Sequence, residues 1–253
     1  MPVPATQKDR APLVEIFSSP QGEGPLVGCR QVFIRFCGCN LTCAYCDTNH
    51  LSDTYCRIET IPGSQQFRDV DNPVPLTTVT QLLQQWQLDF PGLHHSISLT
   101  GGEPLHHGAL LRQWLPELHK ILPVYLETNG TQPTILADLL PSIDMISMDI
   151  KLESVCNFAT PWELHRSFLA ESTGKLCCVK IVVDSNTTSD EISSAAHLVQ
   201  ELAPETALVI QPRTLNDSIT ITADILLQFQ AVASSIHADV RIIPQTHRFL
   251  NLL

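Results

Sequence analysis

Apolar residues along the chain follow two rhythms. Short runs rich in β-branched and aromatic residues occur at 31–36 (QVFIRF), 95–100 (HSISLT), 122–128 (LPVYLET), 143–150 (IDMISMDI), 176–184 (LCCVKIVVD), 207–212 (ALVIQP) and 239–244 (DVRIIP). Each is of strand length and predicts a strand. Between them, stretches such as GALLRQWLPELHKI (108–121), SSAAHLVQEL (193–202) and ADILLQFQAVASS (223–235) repeat their apolar positions every three to four residues, the spacing of a helix with one buried face. Strand, loop and helix alternate six or seven times along the chain, which predicts an α/β fold with a parallel sheet covered by helices. That is one unit short of a complete eight-stranded barrel. Polar and glycine-rich residues follow the strands, placing a site at their C-terminal ends. The rhythm fails twice. Residues 1–12 read as a flexible lead-in, and residues 49–75 read as an insertion loop, either a lid or a surface excursion. The whole of 1–253 reads as one domain.

Charge narrows the partners. Fifteen Lys and Arg stand against 26 Asp and Glu, a formal net charge of −11. Nucleic-acid affinity rests on cations neutralising phosphates, so a broad nucleic-acid surface is not expected. The start, MPVPATQKDRAPL, is polar and proline-rich, so no signal peptide is read. The longest apolar runs are strand-length, far short of the roughly 20 residues that span a bilayer. The expectation is a soluble cytoplasmic protein without a membrane partner, whose thiols are reduced.

Those thiols carry the candidate chemistry. Four of the nine cysteines, Cys37, Cys39, Cys43 and Cys46, fall within ten residues just after a predicted strand. Cys39, Cys43 and Cys46 form C-x3-C-x2-C. Three thiolates from one loop can hold three corners of a [4Fe-4S] cubane, leaving the fourth iron open to a ligand. A structural zinc site would need a fourth protein ligand, for which Cys37, His50 and Cys56 are available. A disulfide is the weaker reading in a reducing compartment. Cys37 alternates in phase with Arg35 and Cys39, and small-residue packing is its simplest role.

C-x3-C-x2-C resembles the signature of the radical S-adenosylmethionine enzymes, whose open iron is chelated by S-adenosylmethionine. Later strand ends agree: TGGEP (100–104) resembles the family's glycine motif, and ETNGT (127–131), SMDIK (147–151) and QP (211–212) resemble its cofactor-binding strand ends. The resemblance covers residues 14 to 253 and implies an α/β fold of the radical S-adenosylmethionine type, a partial, incompletely closed parallel β/α barrel. It also implies cofactor contacts at Tyr45, Asp47, Gly102, Glu103, Glu127, Ser147, Asp149, Lys151 and Gln211, with cluster ligation by Cys39, Cys43 and Cys46.

Within that superfamily, FSSPQGEG (17–24), CDT (46–48) and the terminal QTHRFLNLL (245–253) resemble the 7-carboxy-7-deazaguanine synthase family of the queuosine pathway. The resemblance implies conversion of 6-carboxy-5,6,7,8-tetrahydropterin to 7-carboxy-7-deazaguanine with loss of ammonia. In it, a 5′-deoxyadenosyl radical takes hydrogen from C6 and later returns it. A flat pterin with guanidine-like edges needs paired donors and acceptors, which Pro20, Gln21, Gly22 and Glu23 can offer at a turn. Arg35 suits the substrate carboxylate, although a buried salt bridge is its alternative role. Thr100, His247 and the carboxylate of Leu253 match substrate-contacting positions, and Thr48 matches a position that ligates Mg²⁺. The family's fourth-strand motif often reads Ser-Pro-Lys. This chain has SMDIK, a form shared with glycyl-radical activating enzymes, and such an activase is the alternative function. A metal-stabilised regulator without catalysis is a second alternative. The resemblance further implies a homodimer and an electron donor such as flavodoxin or ferredoxin. Cys29, Cys56, Cys156, Cys177 and Cys178 read as small buried hydrophobes.

Overall fold

The computed structural model describes residues 9–46, 53–215 and 218–252. Ten strands form one sheet: β1 (Leu13–Pro20), β2 (Arg30–Phe36), β3 (Tyr55–Glu59), β4 (Phe67–Asp71), β5 (Ser96–Gly101), β6 (Val124–Thr128), β7 (Met145–Ile150), β8 (Leu176–Val183), β9 (Ala207–Pro212) and β10 (Val240–Ile242). Their order is β10-β9-β8-β7-β6-β5-β2-β1-β3-β4. From β2 to β10 every pairing is parallel. Strand β1 lies antiparallel to β2, and β4 antiparallel to β3. The sheet does not close on itself, because its edge strands β10 and β4 do not pair. This is the expected α/β partial barrel.

Helices α1 (Leu76–Asp89), α2 (Gly108–His119), α3 (Pro133–Leu139), α4 (Trp162–Glu171), α5 (Ser189–Leu202) and α6 (Ala223–Ser234) accompany the sheet. Helix α2 buries Leu111, Trp114, Leu115 and Leu118, the stripe its spacing predicts. Helix α5 starts on a reciprocal cap, in which the Thr188 hydroxyl accepts from the Glu191 amide and the Glu191 carboxylate accepts from the Thr188 amide. The strands explain where the site sits. In β5, Ile97 and Leu99 join the apolar core, while the alternate residues Ser96, Ser98 and Thr100 carry polar groups to the inner face. Glu127, Ser147, Asp149, Lys180 and Gln211 do the same from β6 to β9, so the concave side is polar and lines a cavity.

Two sequence expectations differ from what folds. The turn-rich segment 49–75 is not a loop throughout: β3 and β4 within it form a hairpin on the edge of the sheet beyond β1. Cys56 and Ile58 are fully buried while Arg57 is exposed, a two-residue alternation too short to stand out beside the surrounding turn formers. The lead-in is also used, since Arg10–Ala11 pairs antiparallel with Val74–Pro75. Strand β1 was not anticipated either. It runs through the sheet interior with Ser18 and Ser19 buried, and so shows no clean alternation.

Candidate active site

A cavity of about 820 Å³ opens along the concave face of the sheet. That is within the range of small-molecule sites. Cys39, Cys43 and Cys46 line one end of it, on the loop that follows β2. The loop's path is set by close backbone packing. Gly38 turns it with a positive φ of 78°, and the Glu103 amide donates to the Gly38 carbonyl at 2.9 Å. A methyl on Gly102 would overlap that same carbonyl, so only glycine fits there. Asn40 and Asn129 then pin the loop to the end of β6: Asn129 Nδ2 donates to Asn40 Oδ1 at 2.8 Å, and Asn40 Nδ2 to Thr131 Oγ1 at 2.9 Å. Cys39 Sγ accepts weakly from the Leu41 amide at 3.4 Å and from Asn129 Nδ2 at 3.9 Å.

The thiols differ electrostatically. Burial pushes the Cys39 thiol up. A hydrogen bond from the Cys156 thiol brings Cys43 down to about 7 against the opposing effect of burial, with the Lys151 charge adding to the lowering. Among the described residues, no three His, Cys, Asp or Glu side chains converge as they would on a single ion. A cubane asks for a different arrangement, in which each thiolate binds its own iron around one face of the cluster. Three partly exposed thiols on one loop, all facing the cavity, fit that group. Cys37 and Cys56 are buried and do not line the cavity. His50, Asp47 and Thr48 lie outside the described residues.

Beyond the thiols stand the expected cofactor residues. Lys151 Nζ lies 2.5 Å from Asp149 Oδ2 and donates to the Tyr45 hydroxyl at 2.8 Å. The Tyr45 side chain is thereby held beside Lys151. Asp149 Oδ1 and Gln211 Oε1 are buried acceptors without a hydrogen-bond partner in residues that line the cavity. Such orphans are costly unless a ligand donates to them, which fits an adenosyl group with its amino and hydroxyl donors. Ser147 lines the same wall and accepts from the Cys178 thiol at 3.5 Å.

Two residues expected to touch the cofactor bond through their carboxylates to the protein itself. Glu103 is fully buried, and its carboxylate accepts from the Leu105 amide, the Thr128 hydroxyl and the Asn129 amide at 3.0, 2.9 and 2.7 Å. It braces the TGGEP turn against β6. Burial holds its pKa up at about 6 despite those donors. Glu127 lines the cavity and bonds to residues at its far end, accepting from Gln21 Nε2 at 2.8 Å, Ser98 Oγ at 3.0 Å and Thr100 Oγ1 at 2.8 Å.

At that far end the structure assembles Pro20, Gln21, Gly22, Glu23, Arg35, Thr100 and His247 around one space. The turn after β1 is less open to a ligand than its sequence suggests. The Gln21 amide donates to Cys29 and its carbonyl accepts from Gly28, while the Gly22 carbonyl accepts from the Thr246 amide at 2.9 Å. Gln21 Nε2 also donates to Gln31 Oε1 at 2.9 Å, which fixes the amide's orientation. The Glu23 carboxylate is bonded to Lys180 Nζ and accepts from Gln245 Nε2 at 2.9 Å. Burial opposes its charge, but the Lys180 ammonium and these hydrogen bonds prevail and hold its pKa at about 2. Arg35 has the ion pair weighed as its alternative role, its Nε lying 3.0 Å from Glu15 Oε1, and it still lines the cavity. His247, in the short helix α7 (Thr246–Phe249), packs on Gly22, where a methyl would collide with the imidazole. Leu252 lines the cavity, and Leu253 lies outside the described residues.

Four contributors escaped the sequence reading: Asn40, Asn129, Lys180 and Gln245. A visible signal existed for Lys180, a lone cation in the middle of the otherwise apolar run LCCVKIVV. Parallel strands are covered on both faces, so a charge inside one marks a polar interior. Cys156 was read as a small hydrophobe. It is buried, yet its thiol meets Cys43 and its carbonyl accepts from the Ala44 amide at 3.1 Å.

A three-thiol loop at the C-terminal end of the first parallel strand of an open β/α barrel defines a class. The profile of the Radical SAM superfamily matches residues 33–168, and the chain belongs to that superfamily. Within it, the chain is 46% identical to a 7-carboxy-7-deazaguanine synthase from Geobacter sulfurreducens over 97% of its own length and 99% of the relative's. It is 33% identical to the synthase of that name from Thermococcus kodakarensis, over 96% of this chain and all of the other. The chain is a member of the 7-carboxy-7-deazaguanine synthase family. The crystal structure of QueE from Escherichia coli shares the fold, with a TM-score of 0.58, 20% identity and coverage of 94% of this chain and 95% of that one.

Proposed function

We infer that the protein is a radical S-adenosylmethionine lyase that converts 6-carboxy-5,6,7,8-tetrahydropterin to 7-carboxy-7-deazaguanine with release of ammonia, a step toward queuosine. The observation that carries this is the full-length identity of 46% to a synthase of that name. When bound, the cluster and S-adenosylmethionine would supply the radical chemistry that begins at C6 of the pterin. The protein's part is to hold and orient. Cys39, Cys43 and Cys46 hold the cluster. Gly102 admits the cofactor's polar end by presenting bare backbone. Asp149 and Gln211 accept from its donors through their orphan oxygens. Glu23, kept ionised by Lys180, accepts from the guanidine-like edge of the pterin. Glu127, Thr100 and Gln21 form a rigid set of donors and acceptors below the ring. Arg35, oriented by Glu15, meets the substrate carboxylate, and His247 closes the side of the site over Gly22.

The further assignments are of the same kind. Thr48 would be the protein's ligand to a Mg²⁺ ion, which would help to orient the pterin and offset developing charge. Asp47, next in sequence to Cys46, is assigned to the cofactor by family resemblance. A flavodoxin or ferredoxin supplies the electron, and the enzyme works as a cytoplasmic homodimer built from a single domain. Among the described residues no helix is long and apolar enough to cross a membrane. The test is anaerobic incubation of reconstituted protein with the carboxytetrahydropterin, S-adenosylmethionine, Mg²⁺ and a reductant. The expected result is a new product with the mass of 7-carboxy-7-deazaguanine. Recovery of unchanged pterin from protein that holds its cluster and cleaves S-adenosylmethionine would reject the assignment. Consumption of a glycine-bearing protein substrate in its place would favour the activase reading.

A further inference from the structure

Lys180 stands between the two halves of the cavity and belongs to neither ligand set. It lies in β8, lines the cavity and is 12% exposed. A lysine so enclosed needs a counter-charge. It has two. Its Nζ is bonded to the Glu23 carboxylate, and it lies 3.9 Å from Asp149 Oδ2. Glu23 sits on the turn at the pterin end, with Gln245 on its other oxygen at 2.9 Å. Asp149 sits at the cofactor end, where Lys151 Nζ holds Oδ2 at 2.5 Å and Oδ1 is buried without a partner. One ammonium thus serves two carboxylates unequally, and those carboxylates face different ligands.

We propose that Lys180 is a positioning residue that couples occupancy of the pterin end to occupancy of the cofactor end. This rests on the pterin reading above. When the guanidine-like edge of the pterin donates to Glu23, it replaces part of what Lys180 supplies. The ammonium is a compact charge with three donors on a flexible stem, so it can redirect a proton toward Asp149. Asp149 Oδ2 is then held between two lysines, and the carboxylate is fixed with Oδ1 toward the cavity. A pre-oriented acceptor binds its ligand at lower cost, so each ligand tightens the other. Because binding couplings are reciprocal, the factor must be the same whichever ligand is added first. A lysine that merely balances buried charge would support folding and impose no such factor.

The test is equilibrium calorimetry on anaerobic, cluster-loaded protein without reductant, so that nothing turns over. Carboxytetrahydropterin is titrated with and without saturating S-adenosylmethionine, and the reverse titration is also made. Wild type should bind each ligand at least about five-fold more tightly when the other is present, by the same factor in both directions. In Lys180→Gln that ratio should fall to within about two-fold of one. Asp149→Asn keeps the Lys180–Glu23 pair and removes the second carboxylate, so it decides the matter if Lys180→Gln does not fold. It should lose the coupling equally. A wild-type ratio of one, or a ratio that persists in both variants, overturns the proposal while leaving the pterin reading intact. A wild-type protein that binds S-adenosylmethionine but no pterin overturns both.

Discussion

The cluster end of the cavity takes its thiols from eight consecutive residues, Cys39 to Cys46, whereas the opposite end, proposed above for the pterin, draws on Gln21, Arg35, Thr100, Glu127 and Gln245. The two ends are also bonded differently. Cys39 Sγ has only weak donors at 3.4 and 3.9 Å, while Glu127 accepts three hydrogen bonds of 2.8 to 3.0 Å from partners as far as 106 residues away. The difference follows from what each end must hold. A cluster brings strong directional bonds of its own, so a short loop need only offer thiols of the right number. A pterin brings weak hydrogen bonds, so the protein must fix their partners beforehand.

That contrast can be broken at either end. The largest effect belongs to the thiols: Cys39→Ala, Cys43→Ala or Cys46→Ala should abolish iron retention and S-adenosylmethionine cleavage, measured by iron and sulfide analysis and deoxyadenosine release. Gly102→Ala comes next. Its methyl would push the TGGEP turn off the Gly38 carbonyl, and a displacement on the order of 1 Å at the cofactor should cut turnover about 10²-fold in protein that still binds iron. Turnover equal to wild type would show that the backbone contact sets nothing.

At the pterin end, Glu23→Gln leaves Lys180 without its closest counter-charge and should cost about 3 kcal/mol in denaturant unfolding. The same pair predicts an acid dependence. Glu23 has a folded pKa of about 2, below the ordinary 4.5. A depressed carboxyl pKa stabilises the fold above the unfolded value, and that stability is lost as pH falls through the folded one. Between pH 4.5 and 2, wild type should therefore lose about 3 kcal/mol more than Glu23→Gln. Parallel curves would mean that the pair is not closed in solution. Smallest of all, Cys37→Ala should keep full iron and lose only about 1 kcal/mol of stability, since Cys37 is buried away from the cavity. Loss of iron in that variant would make Cys37 a ligand and undo the three-thiol assignment.

Legibility in the sequence tracks the same divide. The parallel strands, helices α2, α5 and α6 and the C-x3-C-x2-C loop were readable because their signals are periodic or contiguous. Helix α1 carried a readable stripe, Val79, Leu83 and Trp86, that went unused. The hairpin of β3 and β4 was not readable, because its strands lie among turn formers and are held by pairing with each other and with β1. Among site residues, the thiols and TGGEP announced themselves, whereas the bracing role of the Glu103 carboxylate did not. It accepts from the Leu105 and Asn129 amides and the Thr128 hydroxyl, partners set by the fold and not by the motif. The Lys180–Glu23 and Gln245–Glu23 bonds join residues 157 and 222 positions apart, and no local pattern encodes such a meeting.

The most direct test of the central claim, that both ends serve one radical reaction on the pterin, places deuterium at C6 of the carboxytetrahydropterin under anaerobic turnover conditions. The account predicts deuterium in 5′-deoxyadenosine or in recovered S-adenosylmethionine, together with formation of the deazaguanine. Product formed with no deuterium in either adenosyl species would contradict it.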